Sequence, residues 1–336
     1  AMIAGEVVSV AVASLAMAVF GIVGGLFFLG IDRKVSAHMQ ARIGPPIRQP
    51  FRDVRKLLIK ESVVPENAVP LLFNLAPVMA VASAITILLY IPVGGMPPVL
   101  GGYGDLILIL SLLTVPALAM VVGGFASGSP YATVGAQREM VTMIAYEFPL
   151  AVAIIAIAWR LSAAGIPDPF FLVTLTSTPI WSVVGPPGIA GCLILLLVLS
   201  VVTPAELSLV PFDSCEAATE LAGGLLVEYS GRNLAMFSLA QGVKTVVMAA
   251  LAVGIFLPWN LSALAAVPAA YVPLADFVFF LAKVLLVILF AVTLLRTAVA
   301  RFRINQIVSL YWFWLGAASI AGLALIVADA LLPGVI

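Results

Sequence analysis

Charge is what this 336-residue chain has least of. Only 10% of its residues are Asp, Glu, Lys or Arg, against roughly a quarter in soluble domains, which excludes an ordinary water-facing surface. Acids and bases are balanced at sixteen each, so net charge identifies no partner and the placement of charges must carry the argument. Histidine is reduced to one residue, His38, and cysteine to two, Cys192 and Cys215, which are far apart and form no CxxC pair. Neither a disulfide framework nor a metal or iron–sulfur site is expected in this chain. A solitary His38 is expected to be solvated or hydrogen-bonded rather than a ligand.

What the chain has in excess is apolar sequence. Hydrophobic residues make up 63% of it, in runs long enough to cross a hydrocarbon layer of roughly 30 Å at about 20 residues each. Hydropathy predicts spans near 5–30, 67–92, 105–127, 138–159, 186–210, 232–257, 274–297 and 305–332. Helices are predicted because the runs lack the alternation of barrel strands, and because a helix satisfies its own backbone hydrogen bonds in lipid. The first run has no basic flank before it and is expected to be a retained span rather than a cleaved leader. The predicted fold is thus an all-α polytopic membrane protein, a single integral membrane domain over 1–336.

Cytoplasmic loops carry excess Lys and Arg. The stretch between the first two spans holds Arg33, Lys34, Arg42, Arg48, Arg52, Arg55, Lys56 and Lys60, and the later loops on the same side hold Arg138, Arg232, Arg296, Arg301 and Arg303. Only Arg160 falls on the other side. A multi-pass protein of the cell membrane with both termini outside is expected, with its docking loop (31–66) and a later acidic loop (206–231) in the cytoplasm.

Within the first loop, QPFRDVRKLLIKE (49–61) puts Phe51, Val54, Leu57 and Leu58 on one helical face and charge on the rest. Such a helix either rests on the membrane surface or forms a platform for a cytoplasmic partner. The second unusual stretch, VPFDSCEAATELAGGLLVEYSG (210–231), holds Asp213, Glu216, Glu220 and Glu228 with no base. Asp213, Glu216 and Glu220 fall at i, i+3 and i+7, which on a continuous helix is one face. Clustered carboxylates raise one another's proton affinity. Two readings stand: a solvated acidic loop, or, given the small apolar residues between the acids, a partly buried loop or re-entrant helix lining a cavity.

Three charges fall inside spans: Glu147, Lys244 and Lys283. Each is costly in lipid and is expected to face protein or water. Glu139, Glu206, Asp105 and Asp329 sit near span ends, where they read as interfacial anchors, with Glu139 also placed to be the mouth of a pathway. Together the acids and the lysines suggest a row of titratable groups suited to proton relay.

Four motifs now become recognisable in order: DRKVSAHMQARIGPP with QPFRDVRKLLIKE, GAQREMVTMIAYEFPLA, PFDSCEAATELAGGLLVEYSG and RTAVARFRINQ. With them the chain resembles the eight-helix membrane subunit that joins the hydrophilic and membrane arms of respiratory complex I, NADH dehydrogenase subunit 1, and its counterpart in energy-converting membrane-bound nickel–iron hydrogenases. The resemblance implies a docking loop with Arg33, Arg42, Gln49, Asp53, Lys56, Lys60 and Glu61, and a second cytoplasmic contact at Arg296, Arg301, Arg303 and Gln306. It implies an acidic channel of Glu139, Glu147, Asp213, Glu216, Glu220 and Glu228, which the residues extend with Lys244 and Lys283.

The first loop departs from the quinone-reducing complexes, where it usually reads GPN and runs on. Here Gly44-Pro45-Pro46 reaches Gln49 almost at once, similar to the hydrogenase branch. The implied role is a non-catalytic connector in a redox-driven ion pump, with no catalytic residue and no cofactor of its own. Its implied partners are cytoplasmic hydrogenase large and small subunits carrying the nickel–iron centre and iron–sulfur clusters, antiporter-like membrane subunits and the lipid bilayer, not nucleic acid. Two readings compete with it as functions: a quinone-binding subunit of an NADH dehydrogenase-type complex, and a stand-alone secondary transporter using Glu147 and Lys244 at midplane. A purely structural anchor for a soluble hydrogenase would leave the intramembrane charges unexplained.

Overall fold

In a computed structural model, which describes residues 2–331, the chain is an all-α polytopic membrane protein with eight helices long and apolar enough to span a bilayer. They are Met2–Met39, Pro70–Leu88, Leu106–Ala126, Pro130–Ala163, Pro186–Glu206 and Gly231–Phe256, then Val272–Ile288 and Gly316–Leu331 with their extensions. The seventh span continues through a π-helical turn, Leu289–Leu294, to Ala298, and the eighth begins at Ile304 and passes through a second π-turn, Leu310–Leu315. Residue 332, the last of the predicted eighth span, and the chain termini lie outside the described residues.

Several boundaries are written in proline. Pro70, Pro130 and Pro186 open the second, fourth and fifth spans, where the missing N–H is one the helix start leaves unpaired anyway. The third span is capped instead by Asp105, whose carboxylate accepts the backbone N–H of Leu108 at 2.9 Å.

Two spans are longer than hydropathy predicts. The first runs on to Met39, so Arg33, Lys34 and His38 are helical. The fourth starts at Pro130, which puts Arg138 well inside a helix rather than in a loop. In the fourth, small residues explain the extra turns: Ala132, Gly135 and Ala136 are buried, giving a polar segment a packed face that a hydropathy window does not weigh.

The sixth span is the hub. Residues 242–256 are all buried, and the first, second, seventh and amphipathic helices pack around it. Its crossing with the first span depends on Gly25, where an added Cβ would overlap the backbone of Gly242. The first span is otherwise the least enclosed of the eight.

The predicted amphipathic helix forms at Gln49–Ile59. Pro50 and Val54 are buried and Phe51 and Leu57 half-buried, but Leu58 faces outward. The helix rests on the first and sixth spans. Its polar edge is tied to the first span: Arg33 donates to Asp53 at 3.0 Å, and Gln49 donates to the other oxygen of Asp53 at 2.8 Å.

Candidate functional site

The fifth span ends at Glu206, ahead of Pro211 rather than at a kink over it. From there to Gly231 the chain makes only one turn of α-helix, Ala218–Leu221, and one 3-10 turn, Gly224–Leu226. The continuous acidic helix is therefore corrected to a folded loop. Ser208, Ala222, Gly223 and Gly224 have positive φ, and at Gly224 an added Cβ would collide with the carbonyl of Cys215.

Because the loop turns, Asp213, Glu216 and Glu220 do not share a face. Asp213 is buried and receives both Nε and Nη2 of Arg301, a bidentate pair. Glu220 is exposed and pairs with Arg138, which holds its carboxyl below the ordinary range. Glu216 lies between them with neither arginine. Burial first, then the neighbouring Glu139 and Asp213, push it up to about 7. Burial likewise raises the thiol of Cys215 beside it. Mutual repulsion is relieved by giving two of the three acids their own guanidinium and leaving the third close to neutral pH.

Glu139, on the fourth span, is buried and accepts the hydroxyl of Ser208 at 3.2 Å. A cavity of about 230 Å³ opens past it, lined by Glu216, Ser208, Gln241, Glu206 and Lys244 among others. It has room and polar partners for several waters. At its inner wall Lys244 Nζ meets Glu206 Oε1 at 2.7 Å, with both side chains almost wholly buried. A second cavity of about 180 Å³ on the other side of Glu206 is lined by Glu147, Ser111 and Thr114. Glu206 borders both. Glu147 is half-buried, with one carboxylate oxygen unpartnered among the described residues.

Glu206 is the member that sequence reading placed with the interfacial anchors. The available signal was complementarity: a lone acid ending one buried run and a lone lysine in the next. Tyr146 was also missed. It lies seven residues past Glu139, hence on the same face, and is wholly buried with its hydroxyl unpartnered, within electrostatic reach of Glu206, Glu139 and Glu147. Pro149 removes the donor for the carbonyl of Ala145 at this level of the helix.

Other predicted residues are placed elsewhere. Lys283 stands apart from the row: its Nζ donates to the carbonyls of Leu257 and Trp259 at 2.7 Å each, just past the end of the sixth helix, and sits over the Phe279 ring. Glu228 is half-buried near the end of the loop and lines neither cavity beside Glu206. Arg296 turns inward to buried Asp32 at 2.7 Å, and Arg303 closes a capping box with Gln306. Lys56, Lys60 and Glu61 are exposed. Among the described residues no group of three or more His, Cys, Asp or Glu side chains could hold a metal ion.

Comparison with known proteins agrees with the four motifs. The NADH dehydrogenase family matches residues 11–327. A membrane-arm component of an NADH-quinone oxidoreductase from Rhizobium meliloti (strain 1021) is 31% identical over 311 residues, covering 87% of this chain and 88% of that protein. Hydrogenase-4 component C of Escherichia coli (strain K12) is 31% identical over 308 residues, covering 92% and 93%. A chain in the structure of the membrane-bound sulfane sulfur reductase, an archaeal respiratory membrane complex, superposes with a TM-score of 0.82 at 29% identity, covering 95% of this chain and 99% of that one. The chain belongs to the NADH dehydrogenase subunit 1 family, the membrane connector subunits of complex I-like and membrane-bound hydrogenase-type complexes.

Proposed function

We propose that this chain is the connector of a membrane-bound nickel–iron hydrogenase, coupling electron transfer in docked cytoplasmic subunits to translocation of protons or sodium ions. The observation that carries the coupling is Glu206, ion-paired to Lys244 and bordering both the cavity that reaches Glu216 and the one that reaches Glu147. A charge appearing on a partner docked over the basic loop changes the field at Asp213 and Glu216. The altered proton affinity of Glu216 is passed through water and Glu206 to Glu147, and from there to antiporter-like membrane neighbours. Docking at Arg33, Arg42, Gln49, Asp53, Lys56, Lys60, Glu61, Arg301 and Arg303 belongs to the same proposal, as does the orientation with both termini outside.

The hydrogenase branch is supported by the short first loop and by the extent of the match to hydrogenase-4 component C, at 92% of this chain. After Arg42 the loop folds straight back: Ile47 packs its carbonyl against Gly30 of the first span. A quinone-binding reading is favoured by one feature, an apolar groove of about 670 Å³ between the first and seventh spans, closed at one end by Phe51, wide enough for an isoprenoid tail.

The test is redox-driven pumping by the intact complex in vesicles, with Glu216→Gln and Lys244→Ala. Both variants are expected to keep electron transfer and lose pumping. If both assemble normally and pump at the wild-type ratio, the coupling role fails. Nickel, iron and quinone contents of the purified complex separate the two branches.

A further inference from the structure

The apolar groove does not end in featureless membrane. Along the first span, Val19, Val23 and Phe27 line the groove, and Arg33 and Ala37 line a second cavity of about 350 Å³ shared with Arg42, Gly44, Pro45 and Arg296. The seventh span runs beside it in the same order, from Leu281 and Leu285 in the groove to Arg296 in the basic cavity. From Val19 to Arg33 is fourteen residues, about 21 Å of helix at about 1.5 Å each, close to one leaflet including its headgroups.

The charges are unevenly satisfied. Arg33 is held by Asp53 and Arg296 by Asp32, while Arg42 has no ion-pair or side-chain hydrogen-bond partner among the described residues. The cavity therefore keeps a net positive charge where the two helices leave the hydrocarbon layer. The groove below presents only hydrocarbon: Val23, Phe27 and Val278 are roughly half exposed. Apolar length under an unmatched guanidinium calls for an amphiphile with an anionic head. A quinone ring carries no charge and leaves Arg42 unmatched, and a carboxylate from a soluble partner leaves the groove unfilled.

We propose that the groove between the first and seventh spans and the arginine cavity above it form one site for an anionic glycerophospholipid, with its phosphate at Arg42, Arg33 and Arg296 and an acyl chain along Phe27, Phe28 and Leu281. This goes beyond the coupling role and holds for either branch of the family. The lipid would wedge the amphipathic helix against the first span through Phe51.

The test uses the full chain released from vesicles of phosphatidylcholine doped with phosphatidylglycerol and weighed by native mass spectrometry. One retained phosphatidylglycerol per chain is expected, with Arg42→Gln lowering its preference over phosphatidylcholine about fivefold, the effect of one arginine at an anionic lipid. Gly24→Leu should remove retained lipid of either kind. A side chain at Gly24 meets only the Phe20 ring, at 3.9 Å, so it fills the groove without disturbing the helix. Ala282→Trp, on the opposite wall, repeats the block if Gly24→Leu melts early. The proposal is overturned if phosphatidylcholine is retained equally well, or if inorganic phosphate binds at Arg42 unaffected by the groove variants. A quinone analogue that displaces the lipid equally from wild type and Arg42→Gln would also overturn it.

Discussion

The Lys244–Glu206 pair gives the sharpest test of how the buried row is held. Both side chains are nearly inaccessible and their charged atoms are 2.7 Å apart, so removing one partner strands the other charge. Breaking a buried pair costs about 3–5 kcal/mol, whereas replacing both members by apolar residues of similar volume is often neutral. Both charges also border the cavity of about 230 Å³, where water can approach the survivor. The expected cost of Lys244→Met or Glu206→Leu alone is therefore near the lower end, about 3 kcal/mol. The double variant should recover most of that loss. Reversible unfolding in mixed micelles, run as a double-mutant cycle, measures the coupling. Redox-driven pumping by the same complexes should fail in all three variants, including the stable double. Additivity within about 0.5 kcal/mol would show two independent sites and refute the pairing on which the coupling argument rests.

Glu216, raised to about 7 by burial and by Glu139 and Asp213, should make the protein less stable as pH climbs. A folded value above the ordinary 4.5 means that its contribution is fully present below about 4.5 and lost as pH passes about 7; Glu216→Gln should flatten melting temperature against pH over that window, and an unchanged slope would place the titration elsewhere. Arg301→Gln should loosen the acidic loop, since Arg301 holds Asp213 bidentately and Phe302 N–H donates to the Pro211 carbonyl; faster hydrogen exchange confined to 207–230 is the readout. Arg160→Met, stranding buried Asp329, should cost about 3 kcal/mol of stability while leaving the pumping ratio of assembled complexes intact, because that pair lies at the end of the bundle away from Glu216; a lost ratio would give it a part in transport.

The eight spans were legible because lipid leaves few options: long apolar runs must be helices, and their ends are marked by Pro70, Pro130, Pro186 and Asp105. The polar start of the fourth span was less legible, since Arg138 and Glu139 find their partners in residues about seventy to eighty positions away. The same distance hides the acidic loop. Periodicity assigns Asp213, Glu216 and Glu220 to one face, but tertiary pairing with Arg301 and Arg138 and the left-handed backbone at Ala222 and Gly223 break the helix that periodicity assumes. Glu206 was visible as a residue and misplaced as a role, because proximity to a span end and burial against a lysine on another helix look alike in one dimension.

The distribution of polar side chains constrains where a moving proton can go. The end opposite the acidic loop is tied shut by ions that already have partners. Asp329 accepts from Arg160 and from the backbone N–H groups of Gly185 and Gly188 at the start of the fifth span. Lys283 is spent on two carbonyls at the end of the sixth, and Asp276 on Ser262. Groups with every hydrogen bond filled make poor relays, since each transfer must first break one. At the Glu206 level the opposite holds: Glu147 keeps an unpartnered oxygen and lies in a small cavity whose other polar residues, Ser111 and Thr114, are on the third span. The physical asymmetry therefore favours exit sideways, between the third and fourth spans into a neighbouring membrane subunit, over passage through this chain from one face to the other.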